Sequence, residues 1–171
     1  MNPLDIVVIL KLVSLRISKR IDTISMRELE EEIYISSSEI SRSYARLKKA
    51  KLLNDKMDIL YRNLLEFLVS GMPYAFPSEL GRRRIGIATA HSSEYLKNEL
   101  LSDEPVVWAY KLGDEKGPSI EPLHKNVPLA CLYDRKLYEL LAYCEVLRAG
   151  RPREKKIVIE RLENLFNEAN Q

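Results

Sequence analysis

The chain is poor in the residues that build covalent frameworks and metal centres: among 171 residues there are two cysteines and two histidines. Cys131 and Cys144 stand thirteen positions apart, with neither CxxC spacing nor further partners, which excludes a disulfide scaffold and leaves two reduced, buried thiols as the expectation. His91 and His124 have no second histidine or cysteine at ligand spacing, so no metal site is expected. Thr89-Ala-His91-Ser92 lacks the G-x-S-x-G elbow or Cys/His pair of a nucleophilic enzyme, and neither a P-loop nor a dinucleotide fingerprint occurs. No enzyme activity and no cofactor are expected. Long apolar runs are missing too: Ile6–Leu10 is interrupted by Lys11, far short of the roughly 20 residues that span a bilayer. With no small-residue cleavage site after it, the expectation is a cytoplasmic protein without a signal peptide or membrane partner.

Net charge is also scarce. At +2 the chain is no polycation, so affinity for nucleic acid must come from local charge. Residues 33–53 supply it, with Arg42, Arg46, Lys48, Lys49 and Lys51 against Glu39 alone, a local +4. The remaining composition, 46% hydrophobic and 30% charged, is that of a folded globular chain long enough for one sizeable core.

Pro3 suits a first helical turn, and the apolar positions from Leu4 to Ile17 predict a helix over about 4–19. Its apolar surface exceeds one face, which predicts cover on more than one side and, with the apolar final helix, favours a homodimer. Ser25-Met-Arg-Glu28 is a capping box that opens a second helix, and Ser36-Ser-Ser-Glu39 repeats the pattern to open a third. In the third helix Ile40, Tyr44 and Leu47 form the inner stripe, leaving Ser38, Ser41, Arg42, Ala45, Arg46 and Lys49 outward.

Two helices joined by a tight turn, the second with a short, basic outer face, are what entry into the major groove requires. Ser37, Ser38 and Ser41 suit phosphates or base edges, Arg42 and Arg46 suit guanine edges, and Lys48, Lys49 and Lys51 suit phosphates. The stretch ISMRELEEEIYISSSEISRSYARLKKAKLL resembles the helix-turn-helix of winged-helix transcription regulators, the MarR-like group among them. The resemblance covers the N-terminal third and implies a sequence-specific regulator of double-stranded DNA, with those serines and arginines in contacting positions. Tyr34 and Lys51 stand where such motifs often carry glycine in a left-handed conformation. Only Asn54–Asp58 is available for the wing, which is therefore expected to be short or absent. Two alternatives use the same fold without duplex DNA: a protein-interaction adaptor and an RNA-binding module.

Further on, Asp58 is the expected N-cap of a helix over about 59–70 that Gly71 and Pro73 end. The Gly- and Pro-containing stretch 71–86 reads as an ordered loop or extended segment, with Arg82, Arg83 and Arg84 as a flexible DNA arm. Val106–Tyr110 and Ser119–Leu123 read as a β-hairpin, followed by helices over about 134–148 and 152–169. The expected fold is mainly α (α+β): a helix-turn-helix domain over 1–70, and a C-terminal part over 71–171 serving dimerisation or ligand sensing. Tyr74, Phe76, Trp108, Tyr110 and Tyr133 would line a pocket for a small-molecule effector.

Overall fold

The computed structural model describes residues 1–19, 24–100, 102 and 104–170, and the chain is a mixed α/β protein with a small three-stranded sheet. Helix α1, Pro3–Lys19, begins where Asn2 Oδ1 accepts the Leu4 amide at 3.0 Å. Every residue from Leu4 to Ser14 is buried, because α3 (Ser37–Lys49), α7 (Arg135–Ala149) and α8 (Pro152–Ala169) of the same chain pack around it. The apolar breadth that suggested a second copy is thus used within one chain.

Helix α2, Met26–Ile33, carries the predicted capping box: the Glu28 amide donates to Ser25 Oγ at 3.2 Å and the Ser25 amide to Glu28 Oε2 at 2.9 Å. Tyr34 ends it in the left-handed conformation, φ 57° and ψ 40°. Ser36 precedes α3 in an extended conformation, but its hydroxyl turns to the Glu39 carboxylate at 3.2 Å and caps no backbone amide, so the second box is not completed. Ser43 joins Ile40 and Leu47 in the buried stripe, and Tyr44, half-buried, packs against the same core.

Lys51, also left-handed at φ 58°, turns the chain into a minimal hairpin. Leu53 and Ile59 form a single antiparallel bridge, with the Leu60 amide donating to the Leu52 carbonyl at 2.9 Å. Asp58 does not cap the next helix. Its backbone and side chain close this hairpin on Asn54, and α4 (Tyr61–Glu66) starts after Leu60. Nor do Gly71 and Pro73 end it: a π-helical turn, Phe67–Gly71, leads into α5, Met72–Ala75, where Pro73 occupies a first-turn position that needs no amide.

The stretch read as an ordered loop or extended segment is extended and paired in its second half, as strand β1, Leu80–Ala88. The expected hairpin does not form. Strands β2, Val107–Ala109, and β3, Glu115–Ile120, each pair antiparallel with β1 and therefore run parallel to each other, closing a three-stranded barrel. The chain crosses itself closely enough that glycine is required: a Cβ on Gly86 would lie 1.9 Å from the Trp108 carbonyl oxygen, and one on Gly113 2.1 Å from that of Gly86. Helix α6, Val127–Tyr133, precedes α7 and contains Cys131. Helix α7 is the centre of the molecule, with Leu140 to Leu147 buried without interruption and α1, α5, α6 and α8 packed on it. Buried residues from either side of position 70 belong to one apolar cluster. Among the described residues no helix is long and apolar enough to cross a membrane.

Candidate nucleic-acid interface

The capped start of α2, the left-handed turn at Tyr34 and the extended Ser36 direct α3 so that Ser38, Ser41, Arg42, Ala45 and Lys49 are exposed together. The side chains of Arg42 and Lys49 make no hydrogen bond or ion pair among the described residues, which leaves both charges open to a ligand. Ser37 is half-buried and donates its hydroxyl to the Glu30 carboxylate, joining α3 to α2. Lys48 is half-buried over the hairpin, with Nζ 3.4 Å from the Asp55 carbonyl. Lys51 is exposed, and its carbonyl accepts Asn63 Nδ2 at 2.7 Å. Lys56 is exposed at the hairpin tip.

Arg46 is engaged elsewhere. Its Nε lies 3.0 and 2.9 Å from the two carboxylate oxygens of Asp5, and Nη2 lies 2.7 Å from Oδ1. Asp5 is 0% exposed, so this fork is the partner that makes a carboxylate tolerable inside the helical core. Those hydrogen bonds raise the Arg46 pKa further above its ordinary value. The contact bolts α3 to α1 and removes one of the two arginines from the open face.

Arg82, Arg83 and Arg84 are on a paired strand, not on a flexible arm. Arg83 is ion-paired with Glu104, while Arg82 and Arg84 are exposed. The barrel that carries them is tied to α7 by Tyr138 Oη donating to the Ala88 carbonyl and by Trp108 Nε1 donating to Glu145 at 3.0 Å. Glu145 is buried, and burial pushes its carboxyl up to about 7 against the opposing pull of Arg148, whose Nη1 lies 2.6 Å away.

A contact absent from the sequence reading meets the α2–α3 turn from the other end of the chain. Asn126 Nδ2 donates to the Tyr34 carbonyl at 2.6 Å, so the segment leaving β3 fastens the turn in place. No local signal announces a pairing across 92 positions. Beneath α2, Lys11 is buried between the carboxylates of Glu32 and Asp134, and Ser14 donates to Asp134. These bonds hold the Asp134 carboxyl below its ordinary range although burial alone would raise it.

The five aromatics expected around an effector pocket do not converge. Tyr74 and Tyr133 are 85% and 77% exposed, Trp108 is in the core, and Phe76 packs edge-on against Phe67. His91 lies in a short 3₁₀ turn, Ala90–Ser92, where burial lowers its pKa. Cys131 and Cys144 are buried free thiols whose pKa values burial raises. Among the described residues no group of three or more His, Cys, Asp or Glu is placed to hold a metal ion. Comparison with protein-family models, curated proteins and solved structures found no match to this chain.

Proposed function

We propose that this chain is a sequence-specific, double-stranded DNA-binding transcription regulator of helix-turn-helix type, with α3 in the major groove and the Leu52–Leu60 hairpin as a rudimentary wing. The observation that carries the reading is the open face of α3, where Ser38, Ser41, Arg42 and Lys49 are exposed together beyond a tight left-handed turn. Small hydroxyl side chains near the start of the helix let the backbone approach the groove, and the partial positive charge there favours phosphate. Arg42 is the side chain suited to a guanine edge, where a bidentate contact discriminates between bases. Lys48, Lys49 and Lys51 hold phosphates, and Ser37 and Arg46 position α3 rather than reading DNA. A homodimer belongs to this proposal because two symmetric half-sites multiply the limited affinity of one module.

Selection from random duplexes, followed by anisotropy titration of the enriched site, tests it. Arg42→Ala is expected to lose about 1–3 kcal/mol on the selected site, while Lys49→Ala weakens all duplexes alike and reduces the salt slope by about 1. Failure to enrich any duplex, or unchanged affinity in Arg42→Ala, overturns the reading. Binding of a protein partner without salt dependence would favour the adaptor instead.

A further inference from the structure

The barrel carries an open cleft of about 490 Å³ lined by Arg84, Ile85, Ala109, Tyr110 and Lys111. Its walls come from β1 and from the turn after β2, where the Tyr110 amide donates to the Ile85 carbonyl at 3.1 Å and the Gly113 amide to the Tyr110 carbonyl at 3.0 Å. Backbone bonds therefore hold the lining at fixed spacing. Ile85 is 53% exposed, and Leu112, the next residue after the lining Lys111, is 85% exposed, although both types are favoured in cores. Arg84 and Lys111 make no ion pair among the described residues, in contrast to Arg83, which Glu104 neutralises. Glu115, opposite Gly86 in the register, is exposed and is not part of the lining.

An aromatic ring, an exposed aliphatic surface and two uncompensated cations in one cleft match a flat heterocycle joined to a phosphate. A bulk apolar ligand would leave both charges without a partner, and a bare anion would leave Ile85 and Tyr110 uncovered. We propose that this cleft binds a nucleotide unit, its base against the Tyr110 ring and Ile85 and its phosphate between Arg84 and Lys111. The chemistry is shared by a free nucleotide and by one residue of a single strand, since base stacking and backbone neutralisation are both indifferent to sequence. The site is separate from the face of α3 and does not depend on the duplex reading.

The test is anisotropy titration of the full chain with a fluorescein-labelled oligothymidylate of about 12 nucleotides, with thymidine monophosphate as competitor. Arg84, Tyr110 and Lys111 line an open cleft, Arg42 is exposed on α3, and circular dichroism and thermal melting confirm that each variant is folded. The double variant Arg84→Ala/Lys111→Ala is expected to weaken strand binding about tenfold or more and to flatten its salt dependence. Tyr110→Ala is expected to weaken it about fivefold or more, and Tyr110→Phe to retain it, because stacking uses the ring. Arg42→Ala should leave it unchanged. Displacement of the strand by thymidine monophosphate assigns the site to a free nucleotide, and a bound strand that resists a large excess assigns it to single-stranded nucleic acid. No binding of either probe, equal affinity in the double variant, an equal loss in Tyr110→Phe and Tyr110→Ala, or a loss in Arg42→Ala matching that of the double variant overturns the proposal.

Discussion

Helix α3 and strand β1 both carry runs of basic residues, yet the fold distributes their charge by different rules. On α3 the side chains are spread around a cylinder: Arg42 faces outward, whereas Arg46, one turn later, meets buried Asp5. On β1 three consecutive arginines share a strand, and Glu104 neutralises Arg83 between its exposed neighbours. A count of positive residues therefore overstates the charge available to a ligand in each region. What matters is which guanidinium groups the interior or a neighbouring carboxylate has already engaged.

The sharpest break in this comparison is at the barrel's backbone crossing. Gly86→Ala places a Cβ 1.9 Å from the Trp108 carbonyl oxygen, and overpacking against rigid backbone is expected to cost about 3 kcal/mol or more. Gly81→Ala on the same strand meets Ser119 only at 3.5 Å and should stay within about 0.5 kcal/mol of the parent. Urea denaturation of the two variants measures the difference; equal midpoints would mean that the barrel does not close as described.

The two arginines of α3 give the next contrast. Arg46→Ala leaves the Asp5 carboxylate buried without its fork and should destabilise the fold by about 3 kcal/mol, whereas Arg42→Ala should leave the denaturation midpoint nearly unchanged. Adding Asp5→Asn to Arg46→Ala should recover part of the loss. If Arg46→Ala kept full stability and lost only DNA affinity, the assignment of the two arginines would be reversed.

A smaller effect sharpens the link between the barrel and α7. The Glu145 carboxyl, held at about 7 chiefly by burial, retains its proton in the folded protein over a pH range where the unfolded chain has released it. Its contribution is present below the unfolded carboxylate range and is lost as pH rises through about 7, with a slope of at most about 1.4 kcal/mol per pH unit. Glu145→Gln should flatten the fall in denaturation midpoint over that window, and an unaltered slope would mean that Glu145 does not govern it.

Local chemistry was readable where a few neighbouring residues settle the backbone. Ser25 with Glu28, the start of α7 at Asp134, whose side chain accepts the Leu137 amide, and the bounds of α8 all follow from interactions within about one helical turn. The left-handed Tyr34 and Lys51 stand where the helix-turn-helix resemblance implied such a conformation. Little structure was expected between α3 and the next helix because Asn54–Asp58 is only five residues, and one antiparallel bridge, Leu53 to Ile59, forms around it. An extended segment was open at β1 but its pairing as a strand was not legible, because its first six positions are exposed and no apolar alternation marks it. Pairing of β2 with β3 as a hairpin was the natural reading of their proximity in sequence, and only the intervening β1 makes them parallel. Of the candidate interface, the exposure of Arg42 and Lys49 followed from helical spacing. The engagement of Arg46 did not, because its partner lies 41 positions away.

By itself the sequence determined where α1, α2, α3, α7 and α8 form and which stretch carries concentrated positive charge, since caps, turns and helical periodicity act over a few residues. Only the tertiary structure decided that α1 is covered by its own chain, that the Arg82–Arg84 run is a strand, that Asn126 fastens the Tyr34 turn and that Arg46 belongs to Asp5. Each depends on groups far apart in the chain, whose pairing is selected by the cost of leaving a charge, a backbone carbonyl or an apolar face without a partner in the folded interior.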